Sequence, residues 1–133
     1  MKILVADGSG LVRHAIAEVV AKIGHEPLEA EDGGQALSLL HKHSGEIGLA
    51  ILDWNMPVLN GYETLMKIRT GKQLEHVPVL MATSDGFRDD VIKAIKAGAI
   101  GYLVKPFSMD ELSKRIIDIL ADKMDAKDQC SHI

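Results

Sequence analysis

Cysteine is nearly absent from this chain. Of its 133 residues only Cys130 is one, in a polar C-terminal stretch. A lone thiol excludes an internal disulfide framework and fits a reducing compartment. Long apolar runs are missing too. Met1-Lys2-Ile3-Leu4-Val5-Ala6-Asp7 is too short in its apolar part for a signal peptide or a membrane span. A cytoplasmic location with no membrane partner is therefore expected. The chain also lacks an excess of positive charge. Its formal net charge is −4, whereas phosphate backbones are bound by basic faces, so no nucleic-acid partner is expected. No internal repeat, low-complexity linker or second domain is visible. Residues 1–121 read as one domain and residues 122–133 as a polar C-terminal tail without periodicity.

What is present is an alternation. The chain is 47% hydrophobic, enough for one core. Short apolar runs start at Ile3, Leu49, Val77 and Gly101 and read as strands. Glu26-Pro27-Leu28-Glu29-Ala30 carries a proline and reads as an edge strand. Between them lie amphipathic stretches. Leu11, Ala15, Ile16, Val19, Val20 and Ile23 share one helical face. Ala36, Leu37 and Leu40 point inward on a second helix, Leu65, Met66 and Ile68 are apolar on a third, and Val91, Ile92 and Ile95 point inward on a fourth. A fifth helix opens at Ser108-Met109-Asp110-Glu111, which has the spacing of a capping box, and turns Leu112, Ile116, Ile119 and Leu120 inward. Strands that alternate with helices imply an α/β fold: a doubly wound, five-stranded parallel sheet covered on both faces. Right-handed crossovers and an edge-like second strand suit the order 2-1-3-4-5.

Polar residues punctuate the carboxyl ends of those strands. Asp53 ends the buried run Leu49-Ala50-Ile51-Leu52, where a charge is costly unless something uses it. The next helical pattern starts several residues later, which argues against a simple cap. Asp7 ends strand one, Thr83 strand four and Lys105 strand five. Alone, Asp7 reads as a turn residue, Thr83 as a helix cap and Lys105 as a solvated lysine. Together they sit where doubly wound sheets bind ligands. Two carboxylates, a loop carbonyl and water suit Mg²⁺. An ammonium and a hydroxyl suit phosphoryl oxygens, and a carboxylate is a competent nucleophile for phosphorus.

These residues resemble a known family. Asp53-Trp54-Asn55-Met56-Pro57 with Asn60-Gly61, Thr83-Ser84, and Gly101-Tyr102-Leu103-Val104-Lys105-Pro106-Phe107 are similar to the receiver domain of bacterial two-component response regulators. The match is to the stand-alone chemotaxis (CheY-like) type, with a flavodoxin-like sheet, and runs from Lys2 to about Leu120. The resemblance implies Asp53 as the acceptor of a phosphoryl group from the phosphohistidine of a sensor kinase or phosphotransfer protein. It implies Mg²⁺ as cofactor, held by Asp7, Asp53 and the carbonyl of Asn55. Thr83 becomes the switch hydroxyl, Lys105 the partner of the phosphoryl oxygens with a cis bond to Pro106, and Tyr102 an aromatic whose rotamer follows activation. Read without the resemblance, Tyr102 is a half-buried aromatic on an edge strand. A downstream protein is expected on the face of helix four, strand five and helix five. The family acts as a signalling phosphoacceptor rather than an enzyme, beyond self-catalysed phosphorylation and dephosphorylation.

One position departs. The family usually has two adjacent acids after strand one, the second a direct metal ligand; here Asp7 precedes Gly8. Weakly bound Mg²⁺ is the expectation, with Asp85 adding negative potential near the site mouth and Met56 helping to cover the site. The alternative is a degenerate receiver that binds partners without phosphorylation. An aspartate-nucleophile phosphatase is disfavoured, because Asn55 stands where its second acid is expected. A flavin mononucleotide carrier is disfavoured because Asp7 repels the phosphate.

Overall fold

The computed structural model describes residues 1–84 and 86–131, with side chains through Asp122. Five strands alternate with five helices: β1 (Lys2–Ala6), α1 (Gly10–Lys22), β2 (Glu26–Ala30), α2 (Gly33–Lys42), β3 (Ile47–Leu52), α3 (Gly61–Thr70), β4 (Val79–Thr83), α4 (Arg88–Lys96), β5 (Gly101–Val104) and α5 (Met109–Ser131). The strands are parallel in the order β2-β1-β3-β4-β5. Strand order reverses at β1, so the carboxyl ends of β1 and β3 flank the crevice such sheets use for ligands.

Period-two alternation divides the core into two layers. Leu4, Ala6, Leu52 and Met81 face Ala36 and Leu40 of α2, Leu65 and Ile68 of α3 and Ala94 of α4. Ile3, Val5, Leu49, Ile51 and Leu80 face Ile16, Val19 and Val20 of α1 and Leu112, Ile116 and Ile119 of α5. All six residues of β3 are buried, as expected for the middle strand of a covered sheet.

Helix starts follow local chemistry. Ser9 Oγ accepts from Val12 N, Asp32 Oδ1 from Gln35 N and Ser108 Oγ from Glu111 N. Asn60 and Glu63 form a full capping box at α3, which fixes the loop after Asp53.

Three expectations are corrected. Leu11 is exposed; it lies in the first turn of α1, in an open groove with Pro106, Phe107 and Met109, beyond the covered part of the sheet. Ile92 and Ile95 are exposed as well, because α4 lies along the edge strand β5 and buries only Ala94. Met56 stays in the loop after Asp53, as expected, with its side chain buried against the first core layer. The backbone of α5 continues to Ser131, past Asp122, where periodicity ends; a polar sequence propagates a helix already nucleated by the packed turns before it. Asp85 and the side chain of Cys130 lie outside the described residues.

Candidate functional site

Asp7 follows β1 and Asp53 follows β3, and both are buried, at 1% and 6% exposure. The two elements are tied together where they end, since Asp53 N donates to the carbonyl of Ala6 at 2.9 Å. Gly61 then brings the start of α3 against the acceptor segment. Its N donates to the carbonyl of Trp54 at 2.9 Å, and a Cβ there would collide with the Asp53 carbonyl. Only glycine permits this approach.

The oxygens of both carboxylates are engaged. Asp7 Oδ1 accepts from Ser9 N at 2.8 Å, and Asp7 Oδ2 accepts from Lys105 Nζ at 2.7 Å. Asp53 Oδ1 accepts from Asn55 N at 3.3 Å, and the Thr83 side chain, buried at the end of β4, acts on the same carboxylate. Lys105 Nζ also lies 3.8 Å from Asp53 Oδ2. One ammonium thus bridges two carboxylates, closer to Asp7 than to Asp53. Burial pushes the Asp53 carboxyl above the usual carboxylate range. The Thr83 hydrogen bond opposes this, the charge of Asp7 reinforces it, and Lys105 and Asn55 N oppose it.

Thr83 is buried within β4 and is not a helix cap; α4 begins at Arg88, and the residue at its cap position is Phe87, whose ring offers no oxygen. Lys105 follows β5, and its bond to Pro106 is cis, as expected from the resemblance. Tyr102 is half-buried on the edge strand against the first core layer, three residues before Lys105. The structure therefore brings Asp7, Asp53, Asn55, Thr83 and Lys105 together at the strand ends, while Tyr102 lies back along β5 in register with Met81 of β4. Two neighbours escaped the sequence reading. Arg13 Nη1 donates to the Asp7 carbonyl at 2.9 Å; its only sequence signal is a cation one turn into α1. Trp54 stacks on Tyr62 with ring centroids 5.5 Å apart, and Lys93 Nζ lies 4.2 Å from the Tyr62 ring centre.

A Cβ placed on Gly8 would lie 3.3 Å from the Asn55 carbonyl oxygen. The missing side chain therefore belongs to the same pocket as the acids. Among the described residues no group of three or more histidine, cysteine or acidic side chains is arranged to hold a metal. Mg²⁺ needs fewer, since it keeps several waters and uses one or two carboxylates. Asp7, Asp53 and the Asn55 carbonyl fit it, with one negative charge fewer than a three-acid site.

A doubly wound five-stranded sheet with acids, hydroxyl and lysine at its strand ends defines the flavodoxin-like receiver class. The chain belongs to the response regulator receiver domain family, whose sequence pattern matches residues 3–117. It is 41% identical over 121 residues to a chemotaxis protein CheY homolog of Campylobacter jejuni, covering 90% of this chain and 92% of that one. It is 40% identical over 117 residues to the chemotaxis protein CheY of Pseudomonas aeruginosa, covering 87% and 93%. The crystal structure of a response regulator receiver domain protein from Clostridium thermocellum superposes with a TM-score of 0.84 at 31% identity, covering 92% and 96%. The chain is thus a receiver of two-component signalling, a signalling module rather than an enzyme. Among the described residues no helix is long and apolar enough to cross a membrane.

Proposed function

We propose that this chain carries a phosphosignal on Asp53 in the cytoplasm, in the manner of the chemotaxis proteins it is similar to. The observation that carries the reading is the Lys105 ammonium set between two buried carboxylates, 2.7 Å from Asp7 Oδ2 and 3.8 Å from Asp53 Oδ2. The partner that supplies the group is a phosphohistidine on a sensor kinase or phosphotransfer protein. An Asp53 carboxylate oxygen attacks phosphorus, the P–N bond breaks, and the histidine leaves with the bond's electron pair and takes up a proton from water. Lys105 turns from Asp7 to a phosphoryl oxygen, and the Thr83 hydroxyl follows from carboxylate to phosphoryl. Mg²⁺, held by Asp7, Asp53 and the Asn55 carbonyl, supplies charge neutralisation for the phosphoryl oxygens when bound. Movement of Thr83 favours a second conformation of β4, Tyr102 and α4. The output face is α4, β5 and α5, where Ile92, Ile95, Ile100 and Val104 are exposed.

The test is modification by acetyl phosphate, and binding of beryllofluoride, in Mg²⁺. Intact mass is expected to show one phosphoryl group on the wild-type chain and none on Asp53→Asn. Gly8 favours a second reading, a receiver that acts without phosphorylation. Absence of both modification and beryllofluoride binding at saturating metal selects that reading. If the missing acid at position 8 limits metal binding, Gly8→Asp tightens Mg²⁺ by on the order of 10-fold, read from Trp54 fluorescence.

A further inference from the structure

Arg13 takes no part in the chemistry proposed above, yet it grips one of its acids from outside. Nη1 donates to the main-chain carbonyl of Asp7 at 2.9 Å, while Nε donates to Glu29 Oε1 at 3.2 Å. Nη2 lies 4.0 Å from Glu31 Oε1, and the side chain is only 15% exposed. A guanidinium is a rigid planar fork, so two acceptors at different edges fix its plane. One group thereby joins α1, which carries it, to β2, which carries Glu29, and to the loop after β1. The edge strand places no side chain among the strand-end acids; it reaches Asp7 through the Ala30 carbonyl, which accepts from Asp7 N at 3.2 Å, and through Glu29, which holds this arginine.

Gly8 is what makes the grip consequential. The residue after Asp7 has no side chain, so the single-residue link from Asp7 to the Ser9 cap keeps the backbone freedom of glycine. Asp7 is also the only acid of that loop. Its Oδ2 is held by Lys105, the group assigned to the incoming phosphoryl oxygens, and its Oδ1 by Ser9 N within the same loop. Once Lys105 turns away, the Asp7 main chain is held from outside the site at two points: its N donates to the Ala30 carbonyl of β2 at 3.2 Å, and its carbonyl accepts from Arg13, the one side chain of the two.

We propose that Arg13, braced by Glu29, is a positioning residue that fixes Asp7 for metal and phosphoryl binding at Asp53. The proposal rests on the phosphoacceptor reading. Arg13 touches neither metal nor phosphoryl group; it acts by holding the Asp7 main chain, and through it the carboxylate.

The experiment titrates the full chain with Mg²⁺ alone, by Trp54 fluorescence and calorimetry, then follows acetyl phosphate modification at fixed subsaturating Mg²⁺. Arg13→Gln is expected to weaken Mg²⁺ binding about 10-fold, the scale of losing an outer partner of a metal ligand. Modification slows with it. Arg13→Lys is expected to recover part of the affinity, because an ammonium reaches one acceptor but not both. Glu29→Ala, at a half-exposed edge position, produces a smaller loss in the same direction and adds nothing to Arg13→Gln. It also serves if Arg13→Gln does not fold. Val20→Ala, in the buried face of α1, provides the stability control and is expected to leave Mg²⁺ affinity unchanged. Wild-type affinity in both Arg13→Gln and Glu29→Ala overturns the proposal. So does an equal affinity loss in Val20→Ala at matched stability. A wild-type chain that neither binds Mg²⁺ nor accepts a phosphoryl group overturns the phosphoacceptor reading, and the proposal with it, before any variant is compared.

Discussion

At the carboxyl ends of β1 and β3, two buried carboxylates share a lysine, and each accepts from a backbone N–H of its own loop. On the neighbouring flank, α4 runs for nine residues and buries only Ala94, while Phe87, Ile92, Ile95, Ile100 and Val104 face water. Among the described residues no buried side-chain nitrogen or oxygen lacks a partner, so the site is fully satisfied while the flank is sparsely packed. A satisfied polar cluster at low dielectric is rigid. A helix with one buried side chain and no side-chain cap belongs to the low-stability end of a structure. The contrast places a fixed chemical centre beside a movable surface, and the Trp54–Tyr62 stack under Lys93 is a direct contact between them.

The contrast can be broken by mutation. The largest effect is expected where packing is dense: Ile116→Ala in α5, fully buried, should cost about 2–5 kcal/mol by urea denaturation. A cost near zero there would mean that the two regions are not packed differently.

A smaller effect of opposite sign is expected at the site. The Asp53 carboxyl is raised by burial first, so the folded chain holds its proton more tightly than the unfolded chain does. Its contribution to stability is full below the ordinary value of 3.8 and is lost as pH rises through the higher folded value. Asn does not titrate. Asp53→Asn should therefore be more stable than wild type at neutral pH, by about 1–2 kcal/mol. The advantage should disappear below the ordinary carboxylate range. A constant difference across pH would show that charge burial is not its source.

At the junction, Lys93→Met keeps the aliphatic stem and removes the cation. The expected cost is about 0.5–1 kcal/mol, with a change in Trp54 emission. Unchanged stability and emission would mean that α4 is not tied to the acceptor loop through Tyr62. The smallest effect is expected at Ile95→Ala, within about 0.5 kcal/mol because the side chain is already in water. A cost rivalling Ile116→Ala would show the flank to be covered after all.

Much of this was legible beforehand. Period two and period 3.6 marked all five strands and five helices, and Pro27 marked β2 as an edge. The acids, hydroxyl and lysine were found because each ends a strand. Leu11, Ile92 and Ile95 were misplaced for a common reason: periodicity shows that a helix has an apolar face, not that something lies over it. Arg13 was missed because its targets, a main-chain carbonyl and a residue on another strand, leave no mark in spacing.

The sequence by itself determined the alternation of elements, the apolar faces and which polar residues close the strands, because these are short-range properties of backbone geometry and side-chain period. Only the tertiary structure decided that Lys105 pairs with Asp7 more closely than with Asp53, that a side chain at position 8 would face the Asn55 carbonyl, and that α4 is left half-covered. Those depend on ångström-scale distances between segments far apart in the chain, which are set when the sheet closes against its two layers of helices.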